Sequence, residues 1–257
     1  MQLHEQFGRR LCVSVDAEGY GGRDDRAQHD MQRTLVQLLD EAAARAQLDR
    51  TTWIRQGVGD EELSLVPLGP DEPRVVDDFP RQLDAELARF NRSRDPAERL
   101  RLRMALHTGV AYRADNGFAG QGVVVVSRLL NSAPIRSALK LARSVNLALI
   151  VSDGVFTDVI GQGHTTLGAD DFRRVEVSEK EYRAVAWLRV LGADVHRLDL
   201  DGASGGAADQ ATNARPEAPR HRPARSGGDR AGLVTNVFND EVHATHATFG
   251  ISGGVHG

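Results

Sequence analysis

A single cysteine, Cys12, in 257 residues rules out a disulfide framework within the chain. That fits a reducing compartment, and a cytoplasmic setting is expected. Lysine is almost missing too: Lys140 and Lys180 are the only ones, so nearly all positive charge is arginine. The net charge of −4 is not the basic excess of a protein drawn to phosphate backbones, so no DNA or RNA partner is expected. No run approaches the roughly 20 apolar residues of a membrane helix, so no membrane partner is expected either. The first residues, with Glu5 and no long apolar stretch, do not read as a signal peptide. No solenoid-type repeat appears. What is present is 40% hydrophobic residues, enough for a core in one good-sized domain with a tail.

Residues 10–16 alternate like a strand and run into the glycine turn Gly19, Gly21, Gly22. Residues 24–46 read as an amphipathic helix with Met31, Leu35, Leu38, Leu39 and Ala42 on one face. Strands are expected over 52–57 and 62–68, joined by the hairpin Val58-Gly59-Asp60-Glu61. Prolines 67, 70 and 73 surround a loop, and one helix is expected over 76–90. A strand over 100–111, helices over 123–130 and 134–144, a buried strand over 147–151, a short helix over 154–160 and a closing hairpin, 172–177 with 184–190, complete the series. This order predicts an α+β, ferredoxin-like βαββαβ core with extra C-terminal strands. The domain is placed at 8–192, a disordered Gly/Ala/Pro/Arg-rich linker at 193–232 and a short β-prone tail at 233–257.

Two short stretches carry the chemistry. Leu11-Cys12-Val13-Ser14-Val15-Asp16 and Ile54-Arg55-Gln56-Gly57-Val58-Gly59-Asp60 each set a carboxylate at the end of a strand-like run. Two such carboxylates holding Mg²⁺ or Mn²⁺ are a common apparatus for phosphoryl chemistry. The stretches Asp16-Ala17-Glu18-Gly19-Tyr20, Gly59-Asp60, Arg103-Met104-Ala105-Leu106-His107-Thr108-Gly109 and Gly120 through Arg128 occur in that order, and residues 10–190 together resemble the catalytic domain of class III adenylyl and guanylyl cyclases. The resemblance implies a two-metal site at Asp16, the Ala17 carbonyl and Asp60. It implies a catalytic role for Arg128 at the α-phosphate, and nucleotide contacts from Gly19, Tyr20, Gln56, Gly59, Gly120 and Lys180. It also implies a dimer, with a second copy or another cyclase-like chain, in which each chain supplies part of each site for a nucleoside triphosphate.

Three positions depart from that pattern. Val124 stands where the family has an asparagine, Ser178 where it has a phosphate-contacting lysine (Lys180 is two residues away), and Gly117 near the partner of the base-reading residue, itself Gln56 here. Plainer readings stand beside these: Asp16 and Asp60 taken singly suit turns, Arg128 suits a helix surface, His107 suits packing at a strand end, and Glu18, Glu61 and Glu62 suit solvated loops. The run Val123–Val126 suits a buried face.

The segment from Asn236 to His256 is small, β-prone, free of proline and low in charge, which suits cross-β stacking. It resembles C-terminal amyloid signalling motifs of bacterial defence proteins, with Thr248 where glutamine is usual, and the resemblance implies a receptor with a matching motif. The plainer reading is a frayed terminus, or a strand that adds to a sheet edge. Three functions stay open: a metal-dependent cyclase, a pseudo-cyclase that senses a nucleotide or partner without turnover, and an assembly protein whose domain is cargo.

Overall fold

The computed structural model describes residues 8–200 except 23 and 97. The expected tail and most of the expected linker lie outside these residues. Nine strands and their helices are built from clear local signals. Strand β1 (Arg9–Ala17) alternates its side chains, so Leu11, Val13, Val15 and Ala17 enter one core while Cys12, Ser14 and Asp16 point to the opposite face. Helix α1 (Asp25–Arg45) begins at Asp24, whose carboxylate accepts from the Ala27 N–H at 2.8 Å, and buries the expected stripe Met31, Leu35, Leu38, Leu39 and Ala42. β2 (Ile54–Val58) and β3 (Glu61–Pro67) form the expected hairpin, turned at Gly59 with φ +60°.

The single helix expected over 76–90 is two: α2 (Glu72–Val76) and α3 (Asp78–Asn91). Pro80 is the cause, since it has no N–H to give the Val76 carbonyl and its ring crowds that position. Asp77 at the break is used: Thr166 donates to its carboxylate through the backbone N–H at 2.8 Å and Oγ1 at 2.6 Å.

β4 (Leu102–Val110) follows, then an unanticipated small hairpin, β5 (Tyr112–Ala114) with β6 (Gly117–Ala119). α4 (Gln121–Leu130) starts after Gly120, where φ is +112° and a Cβ would lie 2.3 Å from the Val110 carbonyl oxygen, so no other residue fits. α5 (Ala133–Leu141), the fully buried β7 (Leu147–Ser152), a short helical stretch over 153–160, and the hairpin β8 (Arg173–Glu179) with β9 (Tyr182–Val190) complete the domain.

The seven-stranded sheet has the order β2-β3-β1-β4-β7-β9-β8. Its first half, β2-β3-β1-β4, is the ferredoxin-like arrangement. One face packs on α1, α2 and α3 and the other on α4 and α5, giving two separate cores. Packing continues past the expected boundary at 192 as far as Leu200: Val195 and Leu200 are buried, and Arg173 donates to the Leu198 carbonyl at 2.7 Å.

Candidate functional site

Asp16 is the penultimate residue of a strand hydrogen-bonded on both sides, and the two registers set it opposite Glu61 of β3 and Arg103 of β4. Side chains directly opposite on a sheet share a face. The Arg103 guanidinium closes a fork on Asp16, Nε to Oδ1 at 2.9 Å and Nη2 to Oδ2 at 2.5 Å. Asp16 is only 7% exposed. Burial pushes its carboxyl up to about 6, Arg103 pulls it down, and the neighbouring charges of Glu61 and Asp60 add to the rise.

Asp60, in the β2–β3 turn, is half-buried and also raised, mainly by burial, while hydrogen bonds from its own backbone and that of Ala17 hold it down. The structure therefore brings together the three residues expected to hold metal. Gly19-Tyr20 and Gly59 meet there as well: a Cβ at Gly59 would lie 3.7 Å from Tyr20 Cε1, and the Tyr20 hydroxyl accepts from Gln32 Nε2 at 2.5 Å.

Two of the glutamates expected in solvent are not there. Glu61 accepts from the Ser14 hydroxyl at 2.7 Å beside Asp16. Glu62 is buried and pairs with Arg50 at 2.5 Å while accepting from Ser64 at 2.8 Å. β3 begins one residue earlier than expected and takes in Glu61, and Glu62, inside the expected strand, is covered by Arg50. Glu18 is tied to Arg101 at 2.8 Å.

Asp16, Asp60 and Glu61 thus outnumber the one guanidinium among them, and carboxylate and carbonyl oxygens are the donors that hard divalent cations take. Among the described residues, no group of three or more His, Cys, Asp or Glu side chains is arranged to hold an ion. Two carboxylates and a carbonyl are oxygen donors of the kind that Mg²⁺ or Mn²⁺ takes.

A second corner collects Gln56 and Gly117. A Cβ at Gly117 would lie 2.6 Å from Gln56 Oε1 and 2.7 Å from Nε2, so the amide occupies the space a side chain would need, and φ of +98° disfavours one anyway. Beside them is a cavity of about 290 Å³ lined by Gln56, Val58, Glu61, Leu63, Asn116, Phe118 and Val123. A larger cavity of about 420 Å³, lined by Arg9, Glu72, Asp158 and His164 among others, does not include Asp16 or Asp60.

Arg128 is not among the charges acting on Asp16. Its Nη2 reaches Glu181 Oε1 at 3.0 Å in the β8–β9 turn, and its Nε is buried with no hydrogen-bond partner among the described residues. Lys180, exposed in the same turn at φ +52°, lies next to this pair, and Ser178 accepts from Arg183. Val124 is 38% exposed, whereas Val126 of the same run is fully buried. His107 is driven down to about 4 by burial and by Arg9, so it is a neutral packing residue at neutral pH.

Sequence reasoning missed the roles of Arg103, Glu61 and Glu181. Arg103 and Glu61 become visible only once the strand registers are known. The β5–β6 hairpin had a signal, Asp115-Asn116 followed by Gly117 at φ +98°, residues that favour turns.

No family model and no curated protein matches the chain. Solved structures do. The guanylyl cyclase Cya2 aligns with a TM-score of 0.50 at 13% identity, over 76% of this chain and 98% of that one. The adenylate/guanylate cyclase/hydrolase from Silicibacter pomeroyi aligns with a TM-score of 0.50 at 18% identity, over 72% and 99%. The fold is that of a nucleotide cyclase catalytic domain. At these identities the likeness is one of architecture, and it covers nearly the full length of both cyclase chains. Among the described residues, no helix is long and apolar enough to cross a membrane.

Proposed function

We propose that this domain is a divergent class III nucleotide cyclase, forming a cyclic nucleotide signal from a nucleoside triphosphate with Mg²⁺ or Mn²⁺. The meeting of Asp16, Ala17 and Asp60 at the end of β1, an interior strand of a cyclase fold, carries this reading. Divalent metal held by the two carboxylates and the Ala17 carbonyl would lower the pKa of the 3′-hydroxyl and neutralise the departing pyrophosphate. Arg103 holds the Asp16 carboxylate in one orientation for that purpose. Arg128 would neutralise charge on the α-phosphate, in a dimer where it faces the acidic corner of the other chain. The tail would gather domains through a matching motif on a receptor, raising their local concentration.

A second reading, a pseudo-cyclase that binds nucleotide without turnover, draws support from two observations. Val124 offers no hydrogen bond at an exposed position, and Arg128 is already engaged by Glu181. One experiment separates the readings. Full-length protein at high concentration is incubated with ATP, GTP, CTP and UTP plus Mn²⁺, and the products are read by mass spectrometry. A cyclic product lowered at least about a hundredfold in Asp16→Ala and Asp60→Ala supports the cyclase, on the scale of losing a charge-stabilising group. Nucleotide binding with no product from any base supports the pseudo-cyclase.

A further inference from the structure

The cavity of about 420 Å³ lies at the far end of β1 from the acidic corner. Arg9 opens that strand and Asp16 follows seven residues later, which at roughly 3.3 Å per residue separates them by more than about 20 Å. Four titratable side chains line the cavity, Arg9 and His164 together with Glu72 and Asp158. Among the described residues, no ion pair joins any of the four to another. The elements that carry them hold them apart. Pro70 and Pro73 fix φ in the loop that leads into α2, and the Glu72 N–H donates to the Gly69 carbonyl at 3.1 Å. The His164 N–H donates to the Val159 carbonyl at 3.1 Å, and Arg9 is set by strand register opposite Val110. Thr108 Oγ1 donates to Glu72 Oε1 at 3.3 Å, while the second Glu72 oxygen has no partner among the described residues.

We infer that this cavity is a binding site for a small zwitterion, a free aliphatic α-amino acid. An anion alone would face Glu72 and Asp158, and a cation alone would face Arg9, so either would meet a charge of its own sign. A ligand with a carboxylate and an ammonium on one carbon answers both signs at once. Its carboxylate suits the paired N–H donors of the Arg9 guanidinium. Its ammonium suits the Glu72 and Asp158 carboxylates. Glu72, Asp158 and His164 do not form a group arranged to hold a metal ion, which favours an organic cation beside them. The rest of the wall is apolar, with Leu68 38% exposed and Pro70 and Val155 beside it. An aliphatic side chain on the ligand would cover Leu68 and gain from that burial. A cavity of this volume takes a ligand of this size.

The test is calorimetric titration of the full-length chain with L-leucine, 4-methylpentanoate and leucinamide. These share one skeleton and carry both charges, the carboxylate alone and the ammonium alone. Leucine is expected to bind with a Kd at or below about 1 mM, and each single-charge analogue at least about tenfold more weakly. Arg9 and Asp158 are exposed, so replacing either leaves both cores intact. Arg9→Gln and Asp158→Asn are each expected to weaken leucine by at least about tenfold. Leucine that fails to bind at about 10 mM would overturn the inference, as would leucine that binds no better than either analogue. An affinity that neither variant disturbs would overturn it as well. None of these results touches the cyclase reading, whose residues lie at the other end of the strand.

Discussion

On one face of the sheet, α1 and α3 press Leu35, Leu39, Leu83 and Leu87 into a core with Leu11, Val13 and Met104. On the other face, β1, which carries Leu11 and Val13, turns Ser14 and Asp16 toward Glu61 and Arg103. The first arrangement gains from burial. The second sets carboxylates where burial raises their pKa and only one guanidinium answers them. The contrast teaches a division of labour: one face holds the strand in place, and the other uses that fixed strand to keep charge where solvent alone would not favour it.

The sharpest way to break this comparison is Leu83→Ala. Leu83 is fully buried, so a loss of about 2–5 kcal/mol is expected from denaturant melts. A loss under about 1 kcal/mol would mean that the aliphatic face is not the anchor.

Acid acts on both faces, and in opposite senses on carboxyl and imidazole. Asp16 on the polar face and Asp84 on α3 both have carboxyls raised to about 6 by burial. The folded state therefore takes up their protons first, and their contribution to stability grows as pH falls from about 6 to about 4. His107 is driven down to about 4, so its contribution is lost as pH falls over the same window. Asp84→Asn is expected to tilt the stability difference between pH 6.5 and pH 4 toward loss on acidification, and His107→Gln toward gain. Each tilt is on the order of 2 kcal/mol, from the value of a pKa unit. Melts at both pH values decide it, and an unchanged difference in both variants would contradict the assignment.

The smallest expected effect on stability sharpens the comparison most. Val124 is 38% exposed, so Val124→Asn is expected to shift stability by less than about 0.5 kcal/mol. On the cyclase reading it restores a hydrogen-bonding group facing substrate, and product formation is expected to rise. A substantial stability loss would place Val124 in packing instead.

Much of this molecule was legible in advance. Alternation at Leu11 to Asp16 and the stripe from Met31 to Ala42 are patterns set by local geometry, and they reappear residue for residue. The acidic corner was legible as two motifs because each carboxylate ends its own strand or turn. The partners of those carboxylates were not. Arg103 is far from Asp16 in sequence, and only the antiparallel register makes them neighbours. Glu62 falls at the start of the expected strand, but its burial rests on Arg50, a partner that no local pattern reveals. The split of the second helix needed the consequence of Pro80 to be followed back four residues, to the Val76 carbonyl.

The sheet order separates the two corners of the site in another respect. Asp16 rides on β1, locked between β3 and β4, whereas Gln56 rides on β2, which has a neighbour on one side only. Amide protons around Asp16 should exchange with deuterium only when the whole domain opens, while those on the free side of β2 exchange through local fraying. The acidic corner then keeps the lifetime of the native state itself, and the amide corner opens and closes many times within it.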